Sequence, residues 1–189
     1  MKILVACEYS GRVREAFRAK GHDAWSCDLL ESEDNSPYHI QGDVIPLLNE
    51  KWDMIIAHPP CTYLCNSGVR WLHEREGRWE LMREGAEFFK MFMDAAPKVA
   101  IENPVMHRYA LEIVGRKPDF TVQPWQFGDN FKKRTCFWTK GLAPLKPTSD
   151  LDGSAAIAEV HLCPPGIDRW KIRSRTYQGI ADAIAEQWG

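Results

Sequence analysis

The chain has 189 residues, 44% of them hydrophobic and 26% charged, with a net charge of −2. That length suits one domain with a full core, and the charge balance excludes a uniformly basic nucleic-acid binder while leaving room for a local basic patch. No apolar run is long enough to span a bilayer, the run Met1-Lys2-Ile3-Leu4-Val5-Ala6 is too short for a signal peptide, and the six cysteines read as reduced thiols of a cytoplasmic protein.

Residues 2–7 read as a buried strand and Glu8-Tyr9-Ser10-Gly11 as a turn. Val13, Ala16, Phe17 and Ala19 then fall on one face of a helix that Lys20-Gly21 closes. Residues 24–27 predict a second strand, with Asp28 just past its end. Residues 31–38 are a loop, and Gly42-Asp43-Val44 opens a short segment ending near Pro46. Residues 54–57 have the length and composition of a buried strand. Pro59 and Pro60 stop it, because neither has an N–H for a ladder. Residues 66–78 predict a mobile loop running into a helix through Leu81, Ala86, Phe88, Phe89, Phe92 and Met93, which Pro97 ends. Residues 98–101 form a strand, with Glu102-Asn103-Pro104 after it, and 109–114 a short helix. Strands are predicted at 121–126 and 135–139, a loop at 142–153 and an amphipathic helix at 176–188. Alternating strands and helices imply an α/β, Rossmann-like fold with a mostly parallel sheet, closed by an antiparallel strand pair.

Cys61 is the first reactive side chain beyond the proline stop, at a strand's carboxyl end, where open α/β sheets bind ligands. Two stiff prolines before it suit a nucleophile, which must be held close to its target; a free cysteine is equally at home as a small buried hydrophobe. The Ser10-Gly11 turn, with Asp28 after the second strand, suits a nucleoside cofactor: Asp28 would accept from ribose hydroxyls and Asp43 from an adenine amino group. The turn is not G-x-G-x-x-G, and Asp28 also reads as an ordinary turn residue. Glu102 follows a strand as Cys61 does. Burial and a neighbouring thiolate would raise its pKa, and a protonated carboxyl donates to a ring nitrogen; an N-cap or salt bridge is the plainer alternative. Lys132-Lys133-Arg134, among Phe127, Phe131, Phe137 and Trp138, suits phosphates and flipped bases, or else is a solvated hairpin tip. Cys61, Cys65, His161 and Cys163 have spacings that zinc uses, without a regular framework.

Taken in order, these residues resemble the DNA cytosine carbon-5 methyltransferases, in a compact, phage-like form. Pro59-Pro60-Cys61 is similar to their nucleophile motif, and Glu102-Asn103 to their Glu-Asn motif, with Pro104 in place of Val. Asn130, Lys132 and Arg134 stand at the spacing of Gln-x-Arg-x-Arg. Ser10-Gly11 occupies the place of the glycine-rich motif, and Arg173-Ser174-Arg175-Thr176-Tyr177-Gln178-Gly179-Ile180 that of the last one. The resemblance implies a single catalytic domain over 1–189 that uses S-adenosyl-L-methionine and no metal. Glu8, Tyr9, Ser10, Gly11, Asp28, Asp43 and Pro59 would hold the cofactor; Cys61, Glu102 and Arg134 would be catalytic; Asn103, Asn130, Lys132, Arg173 and Arg175 would meet the substrate. The family's target-recognition region is missing, since residues 136–172 are too few for a folded reader. The implied substrate is DNA read with low specificity or a free cytidine nucleotide, with a homodimer or a recognition subunit as partner. A silent binder that keeps the fold is the non-enzymatic alternative. Methylation of an exocyclic amine also uses a Pro-Pro motif, usually with an acid or Asn before it and an aromatic after; His58 and Cys61 flank it here.

Overall fold

The computed structural model describes residues 1–158, 162–167 and 169–189. Among them seven strands form one sheet: β1 (Lys2–Ala6), β2 (Asp23–Asp28), β3 (His39–Gln41), β4 (Met54–Ala57), β5 (Lys98–Pro104), β6 (Phe120–Val122) and β7 (Thr135–Lys140), in the order β3-β2-β1-β4-β5-β7-β6. β3, β2, β1, β4 and β5 are parallel, and β7 pairs antiparallel with both β5 and β6. This is the Rossmann-like α/β arrangement with an antiparallel closing pair that the alternation of elements predicts.

Helices cover both faces, which is why β1 and β4 are apolar along their length instead of alternating. Strand pleating sends Leu4, Ile55, Val99 and Ile101 to one face, where α3 (Arg78–Met91) contributes Met82, Ala86 and Phe89, and α4 (Arg108–Val114) contributes Ala110 and Val114. Ile3, Val5, Met54, Ile56 and Ala100 go to the other face, against Val13 and Phe17 of α1 (Arg12–Ala19) and Ile180, Ile184 and Trp188 of the last helix. Each fully buried aliphatic side chain contributes about 1.5–3 kcal/mol. Among the described residues are also two short helices, α2 (Trp71–Glu74) and α5 (Arg169–Ser174), the latter before α6 (Gln178–Trp188). Gly179 in the first turn of α6 lies so close to the Phe127 carbonyl that a Cβ there would overlap it, and its N–H donates to Asp129 Oδ2 at 2.9 Å.

Three predicted elements change and one strand is added. Glu102-Asn103-Pro104 lie inside β5, because β7 continues to pair with β5 (Glu102 with Phe137, Asn103 with Cys136, Pro104 with Thr135) after the parallel pairing with β4 has ended at Ile101. The strand predicted at 121–126 stops at Val122, since Pro124 starts a 3₁₀ turn, Pro124–Phe127. Half of 66–78 is helical, as the 3₁₀ turn Asn66–Gly68 followed by α2. β3 is an additional edge strand, paired to β2 over three residues. No helix of the described residues is long and apolar enough to cross a membrane.

Candidate active site

Register alone assembles the centre of the site. Ala6 pairs with Cys27 and with Ala57, and Ala57 pairs with Ile101. In parallel strands the next residues out therefore form one row at the carboxyl edge: Asp28, Cys7, His58 and Glu102. His58 Nδ1 lies 3.2 Å from Glu102 Oε2, with the two side chains only 9% and 13% exposed. Cys61 follows from His58 through Pro59 and Pro60, and its thiol is close enough to Glu102, Cys65 and Lys133 for each to act on its protonation.

The loop that carries Cys61 is held from β5 and α4. Prolines lack N–H groups but keep their carbonyls, and Asn103 Nδ2 donates to Pro59 O at 3.1 Å. His107 Nε2 contacts Tyr63 O at 3.0 Å, His107 N donates to Leu64 O at 2.9 Å, and Asn66 N donates to Val105 O at 2.8 Å. Asn103 is 1% exposed. Its amide nitrogen therefore holds the Cys61 loop in place, while Asn103 Oδ1 is buried without a partner among the described residues.

Glu102 also differs from expectation. Burial does raise its pKa, but the His58 hydrogen bond and the Lys133 charge outweigh burial and hold the carboxyl below its ordinary range. The Cys61 thiol is pushed up by its hydrogen bond to Cys65, by burial, and by the Cys65 and Glu102 charges. Cys65 is lowered: the bond from Cys61, the Ser67 hydroxyl and the Gly68 and Ser67 N–H groups stabilise its thiolate against burial. Cys65 N donates to Cys61 O at 3.0 Å, so the two thiols sit on one helical turn, and Cys65 Sγ is 3.2 Å from Ser67 Oγ.

Extended chain alternates its side chains, and this decides which base of the cluster faces inward. Lys132 and Arg134 are exposed, whereas Lys133 lines a cleft with His58, Glu102, Thr135, Thr176 and Tyr177. Lys133 Nζ is fixed there by donation to Arg173 O and Arg175 O, at 3.1 and 3.4 Å. Lys133 thus takes the inward place expected of Lys132 and Arg134. Lys132 Nζ donates to Ser154 O at 3.5 Å, and Asn130 is an exposed loop residue whose carbonyl accepts from Ile157 N. Arg175 is committed to Glu33, with Nε at 3.0 and 3.1 Å from the carboxylate oxygens. Arg173 remains half-buried, with Nε unpartnered.

On the cofactor side, the turn after β1 is occupied from within. α1 has glycine at its N-cap, so no cap side chain can satisfy its first N–H groups. Glu8 does so instead: its carboxylate accepts from Val13 N at 2.7 Å and Arg14 N at 3.3 Å, and Ser10 Oγ is 3.4 Å away. Tyr9 is buried, with its hydroxyl donating to Lys171 O at 2.6 Å. Gly11 has φ +72°, and a Cβ there would overlap the Arg14 guanidinium, itself buried and bonded to Ser26 and Asp34. The side chains of Glu8 and Tyr9 therefore build the turn itself. The acids fit a nucleoside better. Asp28 closes β2, where its Oδ1 accepts from Leu30 N at 2.9 Å and the Leu29 N–H also acts on the carboxylate, and Asp43 Oδ1 accepts from Ile45 N at 3.0 Å. Both act on Cys7, which turns the chain out of β1 at φ 58°. Two carboxylates thus lie beside one strand edge, where they could accept from hydroxyl or amino groups of a ligand.

No three His, Cys, Asp or Glu side chains among the described residues are grouped to hold a metal. His161, of the alternative zinc set, lies outside the described residues. The sequence suggests Lys133 only as one of a basic run and Cys65 only as a zinc ligand, and gives His58 no role. His58 carried a local signal, its place directly before Pro-Pro-Cys.

No family model and no curated protein matches the chain. Among solved structures, an Entamoeba histolytica methyltransferase, EhMeth, shares 12% identity with it over 87% of its residues, at a TM-score of 0.45. The chain spans 60% of that protein's length.

Proposed function

We propose that the protein transfers a methyl group from S-adenosylmethionine to carbon-5 of cytosine in DNA, through a covalent bond to Cys61. The observation that supports this most directly is the adjacency of the Cys61 loop to Glu102, on neighbouring parallel strands. Asp28 and Asp43 would hold the nucleoside part of the cofactor at the β1–β2 edge, with Pro59 bordering it. S-adenosylmethionine supplies the electrophilic methyl group.

Carbon-5 of cytosine is a weak nucleophile until the ring loses aromaticity. Cys61 Sγ bonds to carbon-6, its proton passing to the Cys65 thiolate one helical turn away. The carbon-5–carbon-6 π pair moves into the ring, and Glu102 stabilises it through a proton held at N3. Once carbon-5 carries the methyl group its proton passes to water, the freed pair re-forms the carbon-5–carbon-6 double bond, Cys61 leaves with the Sγ–carbon-6 pair and takes its proton back from Cys65, and the N3 proton returns to Glu102. Lys133 keeps a positive charge near Glu102, and Arg134, Lys132 and Asn130 sit outside the cleft, where phosphates would pass. In a duplex the base must first leave the stack, at a few kcal/mol.

The short interval between β7 and α5, residues 141–168, supports a second substrate class, a free cytidine nucleotide. Incubation of DNA and of cytidine nucleotides with labelled S-adenosylmethionine, read by mass spectrometry, tests both. 5-Methylcytosine in DNA that disappears in Cys61→Ser supports the first; label only on mononucleotide supports the second. Label on neither overturns both.

A further inference from the structure

His58 occupies the position between Glu102 and the α1 cap. Its backbone N–H donates to Ala6 O at 2.9 Å, which locks it in the row beyond β1 and β4. Its Nδ1 contacts Glu102 Oε2, and Nε2 is buried without a partner. A buried imidazole with one nitrogen unpartnered is costly, and replacement by an apolar residue of similar size would remove that cost. Its presence therefore calls for a role on the Nδ1 side. There it is the group that both fixes the carboxylate and opposes the effect of burial.

We infer that His58 is the positioning residue for Glu102: its Nδ1–H holds Oε2, so that Oε1 is the oxygen presented to the N3 edge of a pyrimidine bonded to Cys61. This rests on the proposed cytosine chemistry for its catalytic consequence, but the His58–Glu102 coupling itself does not. The groups that bear on the pair come from every neighbouring element: Glu8 after β1 and Asp28 at the end of β2 act with Glu102 on the imidazole, while Lys133, Cys61 and Cys136 share the surroundings of Glu102. The short contact that the imidazole makes is the one from Nδ1 to Glu102 Oε2, at 3.2 Å.

Asparagine can place an amide N–H where Nδ1–H stands; glutamine places its amide further out, at the Nε2 position. Relative to wild type, His58→Gln should lose about 100-fold in kcat, the penalty of misplacing a catalytic group by about 1 Å, with the KM for S-adenosylmethionine unchanged. His58→Asn should recover most of that rate. Equal activity in wild type and His58→Gln, or equal loss in both variants at unchanged fold, would overturn the inference. A second readout needs no turnover: long-range ¹H–¹⁵N spectra of ¹⁵N-histidine-labelled protein. These should show the His58 Nδ1-protonated form in wild type and a shifted Nδ1 signal in Glu102→Gln. An unprotonated Nδ1, or a His58 signal indifferent to Glu102→Gln, overturns the coupling. If the spectra show the coupling but no cytosine is methylated by wild type, the coupling stands and the cytosine reading fails.

Discussion

A thiol serves as a nucleophile only if its proton has somewhere to go when the new bond forms. Cys61 is hard to ionise by itself, since burial and nearby negative charge favour the neutral thiol; Cys65 carries the charge of the pair, stabilised by Ser67 and by N–H groups of the following turn. Cys61→Ser should abolish transfer while cofactor binding by calorimetry is retained, and an active serine variant would refute the covalent mechanism. Cys65→Ser should still be trapped as an adduct by a 5-fluorocytosine substrate, but more slowly at neutral pH, because the proton acceptor is lost. Glu102 brings a second titration. With its pKa depressed in the free protein it is ionised at neutral pH, so pairing with N3 of a neutral cytosine requires uptake of one proton. The rate constant kcat/KM should therefore fall as pH rises above the depressed Glu102 pKa and on through neutrality, by up to about tenfold per unit, and fall on the acid side as Cys65, lowered to about 5, loses its charge, giving a bell with its maximum well below neutral pH. Glu102→Gln, whose amide donates without proton uptake, should be slower and should lose the alkaline limb; an unchanged limb would assign it to another group.

At the scale of elements, what could be read locally depended on whether the deciding force was local. β4 was legible to its last residue, because both faces are buried and Pro59 ends it. α1 was legible from its apolar spacing and the Lys20-Gly21 stop, but its cap was not: Gly11 offers no side chain, and the acceptor comes from Glu8, three residues upstream. The end of β5 could not be read, because its last three residues are held by β7, more than 30 residues on. The same register puts Lys133 inward and Lys132 outward, a phase that no run of three basic residues discloses. His58 and Glu102 were each visible as residues at strand ends, but their pairing needed the adjacency of β4 and β5. The α1 turn yields its own test. Gly11→Ala combines the left-handed φ, which costs a non-glycine residue about 1–2 kcal/mol, with displacement of the Arg14 guanidinium. Urea unfolding should show at least that loss; unchanged stability would mean that the Arg14–Asp34 pair does not pack over the turn as described. Asp28→Ala should leave stability nearly intact and weaken S-adenosylmethionine binding in calorimetry, and undiminished binding would remove Asp28 from the cofactor site.

For the whole molecule, the question is how a short chain would hold DNA. Residues 141–168 are too few for a recognition domain, so affinity has to come from the phosphates, whose contribution is blind to sequence. The basic residues are not equivalent for this purpose. Lys132 and Arg134 are exposed at the mouth of the cleft. Lys133 is turned inward, and the Arg175 guanidinium is neutralised by Glu33. A phosphate approaching Arg175 must first displace a carboxylate, whereas Arg134 has no ion pair among the described residues. Reversal of both Lys132 and Arg134 to glutamate should weaken binding to all DNA sequences about equally. It should also lower the salt-dependence slope by about 0.9 for each phosphate that is no longer neutralised. Arg175→Glu should change that slope less. Its main effect should be on the ion pair between Glu33 and the segment entering α6, which is half-exposed and worth at most about 1 kcal/mol. Fluorescence anisotropy with duplexes of unrelated sequence, at several salt concentrations, measures both affinity and slope. Equal slopes for the two variants would show that Arg175 leaves Glu33 to bind phosphate. Methylation at one defined site of several base pairs, by the purified chain alone, would show that the loops read bases after all.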